Sequence, residues 1–183
     1  MHDHLRDLGR EMANELSPPR RVWHPQHIKS LIIECSALEK LAGLSHLSFL
    51  KTIKIKKCGK LNCLELDDCA NLKRVDVSDL PKLVILSIHH CPELKKLSNL
   101  YGLSSLEQIT IDGCSKLVQL IITECGNLLE LTLAGLNFLQ TIQIERCEKL
   151  QNIAGIEELL ALKAMEMSLC NNAAMKQYGV PLT

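Results

Sequence analysis

Aromatic side chains are scarce in this 183-residue chain: two Phe, two Tyr and one Trp. A compact globule usually fills its centre with such rings, whereas a core of Leu and Ile suits thin, regular layers. Neither sign of charge is in excess. Lys and Arg number 21, Asp and Glu also 21, so no net field steers the chain toward nucleic acid or anionic lipid. No apolar run reaches the ~20 residues that a membrane-spanning helix needs. The first residues, MHDHLRDLGRE, are charged and lack the apolar stretch of a secretory signal. There is no G-x-x-x-x-G-K-[ST] phosphate loop, no H-E-x-x-H and no C-x-x-C. The seven histidines have no Ser, Cys or carboxylate placed by the sequence as a catalytic partner. These absences argue against an enzyme, a metal protein, a nucleic-acid binder and a membrane protein.

What is present is a repeat. The unit L-x-x-I-x-I-x-x-C-x-x-L recurs as LKTIKIKKCGKL from Leu50, LNCLELDDCANL from Leu61 and LKRVDVSDLPKL from Leu72. Further copies start at Leu83, Leu106, Leu117, Leu128, Leu139 and Leu162, with a shortened variant at Ile28. Two apolar residues spaced two apart are what a strand with one buried face requires. Many such units in series cannot each bury an apolar face alone, so they stack. The pattern predicts a solenoid of the leucine-rich-repeat type, an α/β solenoid of the right-handed β-solenoid or horseshoe kind, over residues 25–183.

The nine cysteines fit this repeat better than they fit disulfides or zinc. The position after the strand holds Cys58, Cys69, Leu80, Cys91, Cys114, Cys125, Leu136, Cys147 and Cys170. Its steps are 11, 11, 11, 23, then 11, 11, 11, 23, so a 56-residue period overlies the shorter one. Leu80 and Leu136 themselves lie 56 apart, which points to duplication of a larger block. One thiol per repeat forms a ladder of small apolar groups at turns, and it spreads thiols along the stack where zinc needs four converging at one point. Cys63 falls outside the ladder on an outward position and is the thiol expected to meet an alkylating reagent first.

An 11-residue step is half of a leucine-rich coil, which takes 20–29 residues. Many coils are therefore expected to carry a strand-like segment on both sides. The longer steps, SALEKLAGLSHLSFL, PELKKLSNLYGLSSL and EKLQNIAGIEELLAL, read as arms of irregular turns or short 3₁₀ or α segments on a convex side. The 56-residue block is 5 × 11 + 1, an odd number of half-coils, which leaves open whether two sides simply alternate and which half-coils form a concave face.

Residues 1–24 lie outside the repeat. HDHLRDLGREMANEL reads as a short amphipathic helix with Leu5, Leu8, Met12 and Leu16 on one stripe, begun by Asp3 and ended by Ser17-Pro18-Pro19. Met1-His2-Asp3 and the helix after it resemble the "MHD" motif that closes the nucleotide-binding module of plant intracellular nucleotide-binding, leucine-rich-repeat (NB-ARC-LRR) disease-resistance receptors. Arg20-Arg21-Val22-Trp23 is similar to the R-x-W stretch that follows it there, and the repeats resemble those of the same receptors. The resemblance implies that residues 1–24 are the last helix and linker of the nucleotide-binding module, and residues 25–183 the repeat domain. It implies that His2, with Asp3, contacts the ADP phosphate and helps to hold the receptor off. With no phosphate loop in the chain, ADP or ATP is expected only in a longer parent, and the chain reads as a fragment or truncated product.

Function is then expected on the outward strand positions, in a cytoplasmic or nuclear protein. Lys54, Lys56, Glu65, Asp67, Arg74, Asp76 and His89 are the expected protein-binding face. Lys51, Lys54, Lys56, Lys57 and Lys60 form a basic cluster with Asp67, Asp68, Asp76 and Asp79 as acidic neighbours. That composition suits electrostatic docking of a protein. By the resemblance, the partner is a pathogen or host protein, or the receptor's own nucleotide-binding module, with effector recognition and autoinhibition as the role. An adaptor such as the substrate-recognition subunit of an F-box-type ubiquitin ligase is the alternative.

Overall fold

The computed structural model describes residues 28–171. Among them, thirteen strands follow one another: β1 Ser30–Ile33, β2 Lys40–Leu41, β3 Thr52–Lys56, β4 Cys63–Asp67, β5 Arg74–Ser78, β6 Ile85–His89 and β7 Lys96–Ser98, then β8 Gln108–Asp112, β9 Gln119–Thr123, β10 Glu130–Ala134, β11 Thr141–Glu145, β12 Asn152–Ala154 and β13 Ala164–Ser168. Every pairing is parallel and joins strands two apart in the chain, in registers such as Thr52↔Arg74 and Lys40↔Cys63. The protein is a parallel β-solenoid. The only helical segment among the described residues is a 3₁₀ turn, Ile156–Glu158. The expected amino-terminal helix, with His2 and Asp3, lies outside the described residues.

The half-coil reading is borne out. Even strands form one wall in the order β12-β10-β8-β6-β4-β2, and odd strands form the opposite wall as β1-β3-β5-β7 and β9-β11-β13. The odd wall breaks where β7 is short, and resumes through the pairing of Tyr101 with Thr123. There Thr123 N–H donates to Leu100 O at 2.9 Å and Gly102 N–H donates to Thr123 O at 3.0 Å.

One expectation needs correction, and one open question is answered. The longer steps are not arms on a convex side. Each holds a short strand of a wall, β2, β7 or β12, and only the last adds a 3₁₀ turn. The alternation of sides also holds throughout. Strand starts at 52, 63, 74, 85, 96 and 108 make five half-coils per 56 residues, and five is odd. Each copy of the block therefore lands on the wall opposite the one before it: β3 is odd, its copy β8 even, the next copy β13 odd. With a sheet on both sides, an 11-residue half-coil has room for a strand and a bend and none for a helix.

The core lies between the walls. In each full half-coil four residues point inward, as Leu50, Ile53, Ile55 and Cys58 do; all four are buried except in the last, where Leu162 and Met165 are partly exposed. Among the described residues the buried set is wholly apolar and contains no Phe, Tyr or Trp, as thin layers with a repeated cross-section demand.

The bends explain the cysteines. The residue before each ladder position turns the chain with a left-handed backbone: Lys57 (φ 57°), Asp68 (φ 53°), Asp79 (φ 54°), His90 (φ 51°), Glu124 (φ 55°), Arg146 (φ 54°) and Leu169 (φ 52°), with Gly113 and Gly135 at two others. The ladder residue then points back inside. The Cys58 thiol lies within hydrogen-bond reach of Lys56 O at 3.5 Å, and the Cys91 thiol of His89 O at 3.4 Å and, one coil below, Leu66 O at 3.6 Å. A small side chain with a weak donor thus satisfies carbonyls at the strand end without filling space that the next coil needs. The following three residues close a turn, with Leu61 N–H donating to Cys58 O at 3.1 Å and Leu94 N–H to Cys91 O at 3.0 Å.

Candidate interaction surfaces

The 11-residue ladder of the sequence is two ladders in space. Bends after odd strands carry Cys35, Cys58, Leu80, Cys125, Cys147 and Cys170, with Leu103 between Leu80 and Cys125; bends after even strands carry Cys69, Cys91, Cys114 and Leu136. All nine thiols are free, and all but Cys63 are buried. Hydrogen bonding to Cys91, then burial, pushes Cys69 and Cys114 far above the ordinary thiol range; Cys91 is lowered by its two neighbours, and Cys125 by its hydrogen bond with Cys147. Cys58 is raised by burial, and Cys147 is pushed up to about 12 by its hydrogen bond with Cys125. Buried and sealed by aliphatic neighbours, these ladders are structural. No group of three or more His, Cys, Asp or Glu among the described residues is placed to hold a metal ion. No described helix is long and apolar enough to cross a membrane.

The polar chemistry sits on the outer sides of the walls. The strand alternation places the expected binding residues outward, but not on one surface. Lys54, Lys56, Arg74 and Asp76 are on the odd wall; Glu65, Asp67 and His89 are on the even wall. The separation follows from the 11-residue step, because neighbouring repeats in sequence lie on opposite sides in space. The clusters themselves are divided between the walls, with Asp76 among the lysines of the odd wall. Lys51, Lys54 and Lys56 belong to the odd wall, Asp67 to the even wall, and Lys57 and Lys60 to the bend between them.

Ion pairs run up each wall between coils. On the odd wall Lys54 meets Asp76 at 3.7 Å and Lys56 pairs with Glu34. On the even wall Lys40 meets Glu65 at 2.8 Å, and His89 Nδ1 lies 4.0 Å from Asp112. The Lys40 ammonium holds the Glu65 carboxyl below the usual carboxylate range. Burial and the Glu65 carboxylate, 3.4 Å away, both push the half-buried Cys63 thiol up. The Asp67 Oδ1 atom is buried without a hydrogen-bond partner. A depression at the bend beside the even wall, lined by Glu39, Lys60, Asn62, Lys82, Val84 and Ser105, is open to solvent.

One feature of the odd wall escaped the 11-residue reading. The residue just before each of its first four strands and their bends is a lysine: Lys29, Lys51, Lys73 and Lys95, all exposed. They stack directly, with Lys51 N–H donating to Lys29 O at 2.8 Å, Lys73 to Lys51 at 2.8 Å and Lys95 to Lys73 at 3.0 Å. Counting by 22 instead of 11 would have found the column. In the next column outward, Thr52↔Arg74 and Arg74↔Lys96 are direct register partners, so two further cations join it.

No protein-family model matches the chain, and no curated protein matches it in sequence.

Proposed function

We propose that this chain is a protein-interaction module, the leucine-rich-repeat part of an intracellular plant immune receptor of the NB-ARC-LRR kind. Its role would be to restrain the receptor's nucleotide-binding module at rest and to respond when a pathogen or host protein binds. The observation that carries the interaction reading is the pair of walls: parallel strands present ordered polar side chains outward, over a core whose buried residues, among the described ones, are all apolar. The coil of 22 or 23 residues, as in Thr52↔Arg74 and Lys40↔Cys63, falls within the 20–29 residues of leucine-rich repeats. The L-x-x-I-x-I-x-x-C unit and the Met1-His2-Asp3 resemblance support the receptor assignment. The parent protein would carry the ADP or ATP site and work in the cytoplasm or nucleus.

Co-purification with the nucleotide-binding module of a receptor bearing such repeats tests this reading. The expected result is a complex weakened about tenfold by charge reversal on one wall, either Lys54→Glu with Lys56→Glu or Glu65→Lys with Asp67→Lys. A complex indifferent to both reversals would remove the docking surface; no complex with any such module would remove the receptor role.

A further inference from the structure

The lysine column of the odd wall is a one-signed feature on a chain of zero net charge. We propose that it binds an extended acidic segment of a protein partner, with carboxylates at alternate positions, laid along the solenoid axis across β1, β3, β5 and β7. This deepens the interaction reading above by naming the partner chemistry of one wall.

Lys29, Lys51, Lys73 and Lys95 form four successive rungs, and Arg74 and Lys96 stand beside the upper two. None of these six cations forms an ion pair with a carboxylate among the described residues. The nearby carboxylates are engaged elsewhere: Asp76 with Lys54, Glu34 with Lys56, and Glu93 with Lys116. Six like charges on adjacent strands repel one another, so an anionic occupant relieves a cost already present in the free protein.

Geometry selects the kind of anion. Parallel strands lie ~4.8 Å apart, so four rungs span about 14 Å. Side chains on one side of an extended peptide recur every ~6.7 Å, so three alternate carboxylates span about 13 Å, close to the length of the column. The strip is also narrow. Asp76 and Glu34 flank it along the strands, and Glu93 lies near Lys73 and Lys95 on the bend side. A duplex or an anionic membrane is broad and would set its phosphates against these carboxylates; an extended peptide fits between them. The columns Lys29/Lys51/Lys73/Lys95 and Ser30/Thr52/Arg74/Lys96 contain no aromatic ring on which a single-stranded base could stack.

Fluorescence anisotropy with a labelled peptide of about ten alternating Glu and Ser residues, at about 50 mM salt, tests the site on the whole chain. The expected result is binding that weakens at least about tenfold in Lys51→Glu with Lys73→Glu, and to a smaller degree in Lys51→Gln with Lys73→Gln. A control with the same change in net charge, Lys60→Glu with Lys82→Glu at the opposite bend, should bind within about twofold of the parent. Equal losses in pair and control would reduce the effect to net charge and overturn the site. Tighter binding of a DNA duplex or of phosphatidylserine vesicles through Lys51 and Lys73, at the same salt, would overturn the partner. No binding by the parent chain would overturn the proposal, while the interaction reading would still stand or fall with reversal of Glu65 and Asp67 on the other wall.

Discussion

Residues 50–105 and 106–161 are two copies of one block, alike inside and opposite outside. Inward, Ile55 becomes Ile111, Cys58 becomes Cys114, Leu80 becomes Leu136 and Cys91 becomes Cys147, all buried. Outward, the first copy carries ten Lys and Arg against six Asp and Glu, and the second carries three against eight. The five half-coils of the block also set each residue on the wall opposite its counterpart. Packing thus constrains the four inward positions regardless of wall, because every coil must offer its neighbour the same cross-section. The outward positions meet only water and a partner, so they were free to diverge, and they diverged into a basic copy and an acidic one.

The strictest test of equivalence is the interior. Ile55→Ala on β3 and Ile111→Ala on β8 remove the same atoms from opposite walls, and each should cost about 2–5 kcal/mol. Both sites are closed above and below by neighbouring coils, so the two costs should agree within about 1 kcal/mol. Denaturant unfolding, supported by hydrogen exchange of the flanking strands, measures this. A cost confined to one of them would show that the copies are not packed alike.

The bends of the short strands should differ more. Gly43, Asn99 and Gly155 are equivalents at 56-residue steps, and all are left-handed, at φ 75°, 65° and 84°. An added Cβ at Gly43 meets nothing within 4 Å, whereas at Gly155 it would lie 1.7 Å from Leu133 O. Gly43→Ala should cost about 1 kcal/mol, the ordinary price of a side chain in that backbone region. Gly155→Ala must also move the backbone of β10 or β12 and should cost about 3–4 kcal/mol. Equal melting temperatures for the two variants would contradict the close approach of the last short strand to β10.

The interior was legible in the sequence because burial repeats along the chain: Leu50, Ile53, Ile55 and Cys58 recur by simple counting. The walls were not, because neighbours in space are 22 or 23 residues apart while the visible period is 11. Counting by 11 joined Lys54 to Glu65 on one imagined face; the chain joins Lys54 to Asp76 and Lys40 to Glu65 on two. The short strands were hidden for another reason. In β2, β7 and β12 the bend comes two residues earlier, so the apolar spacing of two gives way to a spacing of three, Leu94, Leu97, Leu100, Leu103 and Leu106, which reads as irregular turn. The left-handed bends left no signal either, since Lys, Asp, His, Glu and Arg fill most of them in place of glycine.

A smaller difference between the copies is electrostatic. Glu65 pairs with Lys40, and its counterpart in the second copy is Ile121, which titrates nothing. The pair holds the Glu65 pKa below its unfolded value. The stability it adds is therefore present above the unfolded pKa and is lost as pH falls through the folded one. For a pair this exposed the amount is at most about 1 kcal/mol. Lys40→Met should lower stability slightly at neutral pH and flatten its decline on the acid side. Parallel curves for parent and variant down to pH ~3 would mean that the pair contributes nothing to folding.

The smallest effect concerns Cys63, whose counterpart is Gln119, so that only the first copy has a thiol on an outer wall. Exposure alone would make it the fastest thiol to alkylate, but the reacting species is the thiolate. Burial and the Glu65 carboxylate both raise its pKa. The thiolate fraction at neutral pH is thus smaller than an unperturbed thiol would supply, and the labelling rate should go on rising at pH above the ordinary thiol range. Glu65→Gln removes the negative charge and should speed labelling at neutral pH by roughly two- to fivefold. Mass spectrometry of iodoacetamide-treated native protein should find Cys63 modified ahead of Cys58 and Cys69, because those two lie sealed in the bends at 0% and 3% exposure. Simultaneous modification of all three would mean that the coils open together on the timescale of labelling, and that the inner likeness of the two copies does not hold them closed.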